Sequence, residues 1–453
     1  MEPEQELASY VSSTRYEDLP ASAIAIIKTV VLTNLSGALG GAFVDGCQQA
    51  VEVAREWGAR PEATLWVHGG KVSAHDAAFA NSIMARALDL DDIMQPGIHI
   101  GASAVPVALA MAEKMGGCSG RDFLAALVLG TEVAARINAA SQYDGFDPVG
   151  IATVFATAAI SGRLLGLDAR RMQDALGLAL NRAAGSFQNN VDGALAVRYV
   201  QGFAAQAGMV CAQLAHKGVT GPSHFLTGQH GYFHLFAKDQ HNIELVAGEL
   251  GKRYELHKTA FKKYPSSGST LASTEATLAM VEHHGIDADA VDSVMVCVSR
   301  HTFKNAGHAF VVGDNAGVNA QFSIRYCVAN ALLRKAALLD HFEAEAVRDP
   351  AILALTRRID VQGDADIEIR GRLAASVRIT LRDGRVLQHG VDIPAGMPGA
   401  ALSPADHLDR FHQCARHAPS PWPQARLEQI IGIIDTLEDQ DDVRVLIPLM
   451  LPA

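Results

Sequence analysis

From residue 21 to residue 218 the chain carries one helical pattern after another, and several of these patterns are apolar nearly all round. A surface helix shows a single apolar stripe, so a helix that is apolar on every side must be enclosed by other helices. Alanine and glycine dominate these stretches, which lets the backbones approach closely. The first half is therefore predicted to be a helical assembly with buried members, over residues 21–41, 103–115, 123–140, 149–165, 169–186 and 204–216. Ser119-Gly120-Arg121-Asp122 resembles a capping box ahead of the third of these. Pro106 is tolerable in the first turn of the second. A short strand within 62–67, before Gly69-Gly70, is the exception.

Past residue 264 the character changes. Residues 271–284 read as a helix and 291–298 as a strand, with Val294, Val296 and Val298 on one face. Residues 322–339 read as a helix, and 366–369 and 375–381 as strands. Arg382-Asp383-Gly384-Arg385 is a hairpin turn leading into a return strand over 386–391. From 403 the pattern is helical again, ending over 425–437. The predicted fold is mainly α: a large all-α helical domain formed by both chain ends, 1–265 and 401–453, with an inserted α+β lid domain at 266–400. A length of 453 residues favours such a division over one simple core.

Several classes of function lose support. The formal charge of −11 offers nothing to nucleic acid or to an anionic membrane, although a pocket can still be locally basic. No stretch without formal charge is longer than 93–112, which contains Pro96, Gly97, His99, Gly101 and Pro106 and suits a loop entering a helix better than a membrane span. The acidic start, Met1-Glu2-Pro3-Glu4-Gln5-Glu6, is unlike a secretory or transit signal. Cys47, Cys118, Cys211, Cys297, Cys327 and Cys414 are scattered, so free thiols and a cytoplasmic location are expected. There is no G-x-x-x-x-G-K-[ST] loop and no G-x-S-x-G elbow. Gly37-Ala38-Leu39-Gly40-Gly41 sits inside a helical pattern and reads as close helix packing. None of the eighteen histidines forms H-E-x-x-H, and His283-His284 falls at a helix end before Gly285. No metal and no organic cofactor are expected.

Four segments carry groups suited to chemistry. In Leu88-Asp89-Leu90-Asp91-Asp92-Ile93-Met94-Gln95-Pro96-Gly97-Ile98-His99, three carboxylates precede a Pro-Gly loop that delivers a histidine, the residue that titrates near neutrality. The bland alternative is helix-end capping with an exposed His99. In Phe261-Lys262-Lys263-Tyr264-Pro265, a lysine in a turn could hold a carboxylate or neutralise an enolate-like intermediate, or form a solvated basic turn. Arg198-Tyr199 and Arg325-Tyr326 are each a candidate carboxylate clamp or ordinary helix surface.

Taken in order, these segments resemble the MmgE/PrpD family. Ala87-Leu88-Asp89-Leu90-Asp91-Asp92, the 119–140 helix with Gly130-Thr131-Glu132 and Arg136, and Gly145-Phe146-Asp147-Pro148-Val149-Gly150 carry the likeness. So do Leu164-Leu165-Gly166-Leu167-Asp168, Gly218-Val219-Thr220-Gly221-Pro222 and Lys262-Lys263-Tyr264-Pro265, over almost the whole chain. The resemblance implies a homodimer without metal or organic cofactor, whose reactions build negative charge on a carbon beside a carboxylate. It implies catalytic roles for Asp89, His99, Lys262 and Tyr326, with Lys262 and His99 facing one cleft between the domains. Asp92, Lys263, Arg198 and Arg325 are expected to bind substrate. The chain also departs from the family pattern. Asp147 stands where a histidine before proline is usual, Ala196-Val197-Arg198-Tyr199-Val200 replaces a T-K-x-x-H-type run, and Ile93 replaces a threonine. Asp147 in a desolvated setting is a candidate base. With less positive charge available, the expected substrate is a small carboxylic acid less charged than citrate-type acids. Family analogy ranks dehydration first, isomerisation or epimerisation second and decarboxylation third. A non-catalytic family member and a simple small-molecule binder are the rivals.

Overall fold

In the computed structural model, which describes residues 2–58 and 60–452, the apolar patterns of the first half become a bundle of mutually buried helices. The helix Ala21–Gly41 packs against Ala74–Arg86, Gly101–Met115 and Pro404–His417. A methyl group at Gly37, Gly40 or Gly41 would run into the backbone carbonyls of Ala85, Cys414 or Met84, so the glycine run serves helix packing. Among the described residues this is the one helix long and apolar enough to cross a membrane, and it lies mostly buried in the protein interior. Gly120–Ala139 opens on Ser119, whose Oγ accepts the Asp122 N–H at 3.1 Å. Pro148–Leu164 opens on Asp147, whose carboxylate accepts the Val149 N–H at 2.9 Å.

Two boundaries in this half differ from expectation. The 169–186 pattern is helical only over Ala169–Leu180; Asn181 then turns back on Leu178, and Gly185 takes a positive φ that leads the chain away. The final helix starts earlier than expected, at Ala196, and runs to His216. Its first two turns hide Arg198 and Gln201 inside the protein, so buried polar groups disguised the inward face. The strand expected within 62–67 is a two-residue pairing of Ala63–Thr64 with Lys71–Val72.

The second half is built on a four-stranded sheet in the order Ile359–Gly363, Val291–Val298, Ala375–Leu381, Val386–Val391. The first pair is parallel and the other two are antiparallel. Val294, Val296 and Val298 are buried together, and the helices Leu271–His284 and Ile324–Arg334 belong to the same apolar cluster. Residues 366–369 are not a strand: they lie in the helix Ala365–Arg370, started by the Asp364 carboxylate accepting the Asp366 N–H at 2.8 Å. The local strand is the preceding Ile359–Gly363. The helix expected over 322–339 is shorter because Ser323 caps its start and Lys335 turns left-handed at φ 57°.

Buried apolar residues form two large clusters. One gathers side chains from 7–261 and from 411–450, and the other from 272–381. Both ends of the chain thus meet in the first core. All six cysteines are free thiols.

Candidate active site

The helix Ala74–Arg86 ends just before the aspartate segment, and Asp89 takes the left-handed conformation at φ 53°. Aspartate tolerates this region better than most residues do. The turn redirects the chain so that Asp92 and Ile93 form a short antiparallel ladder with Phe261 and Ala260. That pairing brings two segments 170 residues apart side by side and sets Lys262 next to the carboxylates. Lys262 Nζ donates to Asp89 Oδ1 at 2.9 Å and to the Asp89 carbonyl at 3.1 Å, and lies 3.6 Å from Asp91 Oδ1. Arg86 is paired with Asp89 and lies 3.5 Å from Asp91. All four side chains are buried.

His99 closes the cluster. Its Nδ1 lies 3.1 Å from Asp91 Oδ2 and 2.9 Å from the Asp92 carbonyl oxygen. The Asp92 carbonyl accepts the Nδ1 proton, which leaves Nε2 the lone pair, and Asp91 stands beside the ring as a counter-charge. The backbone behind the ring is also held: Gln201 Nε2 donates to the His99 carbonyl at 2.9 Å, and Ser103 Oγ donates to Gln201 Oε1 at 2.5 Å. Asp92 faces the other way. Its Oδ2 accepts the Gly101 N–H at 3.0 Å at the start of the Gly101–Met115 helix, and its Oδ1 accepts from Asn34 at 2.8 Å.

The electrostatics sort the carboxylates into two kinds. For Asp91 and Asp89 burial favours the neutral acid, but it is outweighed. The Arg86 guanidinium, joined by His99 and Lys262 around Asp91 and by Lys262 around Asp89, holds both below the usual carboxylate range. Asp92 is raised, first by burial and then by the charge of Asp91. Asp147 is raised by burial, against the opposing pull of the Val149 N–H, His99 and Arg86. Arg410 stands over Phe261, donates to the Leu90 carbonyl at 2.6 Å, and is brought down to about 10 by burial.

The structure therefore gathers Asp89, His99 and Lys262, with Asp92 and Asp147 at the edges. The other expected residues lie elsewhere. Tyr326 is buried between Phe310 and Phe342, where its hydroxyl donates to the His341 carbonyl and accepts from Arg334 at 3.2 Å; burial pushes it up to about 12. Arg325 braces the second unit by donating to the carbonyls of Ile359 at 2.8 Å and His308 at 2.8 Å. Lys263, next to the buried Lys262 in the bend after the Ala260–Phe261 strand, is exposed. His99 and Lys262 do not line the cavity between the two units. That space, of about 310 Å³, is lined by the polar groups of Asp45, Arg198, Asn315, Gln321, Glu343 and His417 together with apolar side chains.

The cations Arg86 and Arg410 escaped the sequence reading, which offered the three carboxylates as groups to orient His99 without singling out Asp91. Arg86 stands three residues before Asp89 at a helix end, a legible spacing. Arg410 arrives from a distant helix and gave no signal. Among the described residues, Glu2, Glu4 and His224 could together offer ligands to a metal ion. They sit on elements that contribute nothing to the His99 cluster, and Glu4 Oε1 already accepts from the N–H groups of Leu226 and Thr227.

Comparison with known proteins adds an independent line. The description "MmgE/PrpD N-terminal domain" matches residues 5–244, and "MmgE/PrpD C-terminal domain" matches residues 264–436. A cis-aconitate decarboxylase-like protein, oryM of Aspergillus oryzae, is 26% identical over 473 residues, covering 98% of this chain and 96% of its own length. Cis-aconitate decarboxylase of Aspergillus terreus is 24% identical, covering 98% of this chain and 95% of its own. The Homo sapiens cis-aconitate decarboxylase is 22% identical, with 98% and 94% covered.

Proposed function

This chain belongs to the MmgE/PrpD family, and from that premise we propose that it is a lyase, working without metal or organic cofactor, that moves a proton at the carbon beside the carboxylate of a small acid. The observation that carries the proposal is the buried His99–Asp91 pair, 3.1 Å apart, beside the Lys262 ammonium. A histidine whose Nδ1–H is held by a backbone carbonyl, with a carboxylate beside the ring, presents Nε2 as a general base that becomes a general acid once protonated. The Lys262 ammonium stabilises negative charge developing on the substrate.

Dehydration is the first reading. His99 Nε2 takes the proton, the electron pair becomes the double bond, and the hydroxyl leaves as water on a proton from Asp147, whose burial favours the protonated acid. Decarboxylation is the second, and the names of the relatives favour it. There the carbanion left by carbon dioxide takes its proton from the same group. The charges of the cluster also bear on the substrate. Arg86 and Lys262 are matched by Asp89 and Asp91, so little positive charge is spare for a tricarboxylate, and an acid of lower charge is expected. Residues 266–400 are taken as the lid over this region.

The partner, besides a small carboxylate, is a second copy of the chain. Trp57, Phe203, Val210 and Leu214 are exposed apolar side chains, and the Trp57 and Phe203 rings both lean on Phe79, at 5.4 and 5.6 Å. The free thiols support a cytoplasmic setting.

The test is proton exchange in heavy water followed by NMR over a panel of mono-, di- and tricarboxylates, with carbon dioxide measured in the headspace. Exchange or elimination that disappears in His99→Ala supports the proposal, and carbon dioxide release selects the second reading. Efficient turnover of a tricarboxylate would sink the low-charge substrate. No exchange with any acid would favour a non-catalytic family member.

A further inference from the structure

Among the described residues, the buried cation Arg198 has no carboxylate partner within ion-pair distance. Its Nη1 donates to the Asp45 carbonyl at 2.6 Å, and its Nε, also buried, has no hydrogen-bond partner. A guanidinium taken out of water and left partly unpaired is costly unless a ligand completes it. The residue lines the cavity of about 310 Å³ between the two units, at the small end of the roughly 300–1,000 Å³ that ligand pockets occupy. Apolar walls from Phe43, Leu88, Val318 and Phe342 face the same space. Gln321 and Asn315 also line it. Their amide nitrogens donate to the carbonyls of Leu88 at 3.1 Å and Gly193 at 2.8 Å, so they turn acceptor oxygens to a ligand.

We propose that this cavity is a carboxylate subsite, in which Arg198 holds the single carboxylate of a short aliphatic acid whose body lies on the apolar walls and whose hydroxyl or N–H meets Gln321 or Asn315. Two acidic residues, Asp45 and Glu343, line the same cavity and repel a second carboxylate. His417, 3.8 Å from Glu343, is lowered by burial, so at neutral pH it does not offset that repulsion. Arg198 is thus a specificity-determining residue. The inference rests on the lyase reading only in taking this acid to be the substrate. Burial of Arg198 also lowers its own proton affinity, a penalty a bound carboxylate relieves.

The test is isothermal titration of the full-length protein with hexanoate, 3-hydroxybutanoate, adipate and citrate. The expected result is that the two monocarboxylates bind at least tenfold more tightly than adipate or citrate. Arg198→Gln loses at least tenfold in affinity for them, and Arg198→Lys loses less. Because Arg198 also braces the Asp45 carbonyl, Val318→Phe serves as a second variant: it fills the cavity without touching the guanidinium and loses the same binding. Adipate or citrate binding as tightly as the monocarboxylates, no binding by the wild type, or wild-type affinity in both Arg198→Gln and Val318→Phe would overturn the subsite. Binding that depends on Arg198, with no proton exchange in any hydroxy acid, would keep the subsite and remove the catalytic reading.

Discussion

Replacing Asp91 by asparagine isolates the step on which the proposed chemistry depends. His99 Nδ1 has two polar neighbours, Asp91 Oδ2 at 3.1 Å and the Asp92 carbonyl, to which it donates, at 2.9 Å. The substitution removes the charged one and leaves the neutral one to keep the proton on Nδ1. A close contact with a charged group, taken at the size of a charge-assisted hydrogen bond, contributes about 1.5–3 kcal/mol. At about 1.4 kcal/mol per tenfold, that corresponds to a fall in kcat of roughly 10–150-fold. If the ring instead turned to the wrong tautomer, the loss would approach ~10⁴-fold, the size seen when a triad aspartate is changed to asparagine. The Asp92 carbonyl, a backbone group fixed by the ladder to Phe261, argues for the smaller figure. KM should change little, because Asp91 contacts the imidazole and the cations and leaves the substrate to other groups. The assay is the initial rate of exchange or elimination on the acid the wild type accepts, with the melting midpoint measured in parallel because Arg86 and Lys262 lose part of their counter-charge. A folded Asp91→Asn protein within twofold of wild-type kcat would refute the histidine–carboxylate mechanism.

Other predictions follow from the same geometry. Asp147 has a raised folded-state pKa against an unfolded value of about 3.9, so the stability tied to its protonated form is complete below that value and is lost as pH rises through the folded one. Asp147→Asn keeps the cap on Val149, so its melting midpoint should exceed the wild type's at pH 7 and the gap should close near pH 4; a gap that widens on acidification contradicts the assignment. Gly101→Ala would drive a methyl into the Asp92 carboxylate, the Asn34 amide and Val30; urea unfolding should show a loss of about 1–3 kcal/mol, together with reduced turnover as His99 shifts. Phe203→Glu should turn the proposed dimer into a monomer in sedimentation equilibrium, and an unchanged mass would place the interface elsewhere.

Much of the fold was legible because its physics is local. Leu271–His284, Val291–Val298, Ala375–Leu381 and Val386–Val391 follow the expected bounds: alternating valines and an Asp-Gly turn are decided within a few residues. Failures came where distant contacts overrode the pattern. Residues 196–203 did not look like a buried helix because Arg198 and Gln201 are polar, yet one is held by the Asp45 carbonyl and the other by Ser103 and the His99 loop. The site was legible in the same degree. Asp89, His99 and Lys262 could be named from their segments, while the choice of Asp91 over Asp92 as the partner of His99 depends on a left-handed turn at Asp89 that the sequence does not announce. Tyr326 was misleading because a tyrosine beside an arginine looks the same in a clamp and in a core.

Gln321 shows how the two units come to share one site, and it supports a last prediction. It belongs to the second unit, but its amide donates to the Leu88 carbonyl at 3.1 Å and to the Pro265 carbonyl at 3.4 Å. Leu88 directly precedes Asp89, and Pro265 lies three residues beyond Lys262, so one side chain fastens both partners of the buried ion pair to the unit that covers them. Gln321→Ala removes both contacts, at about 1 kcal/mol each, a small part of the stability of a chain with two large cores. Its effect on chemistry should be larger than its effect on folding, because a displacement of about 1 Å in a positioned group can cost on the order of 10²-fold in rate. The variant should therefore melt within a few degrees of wild type, yet lose at least tenfold in kcat. Gln321→Glu, which cannot donate to either carbonyl and adds a charge beside Asp89, should be slower still. Equal losses of stability and rate would mean that Gln321 only holds the units together; a kcat loss that outruns the stability loss while KM is unchanged would mean that their contact sets the geometry of Asp89 and Lys262, whereas a rise in KM alone would report the lost contact to the acid in the cavity.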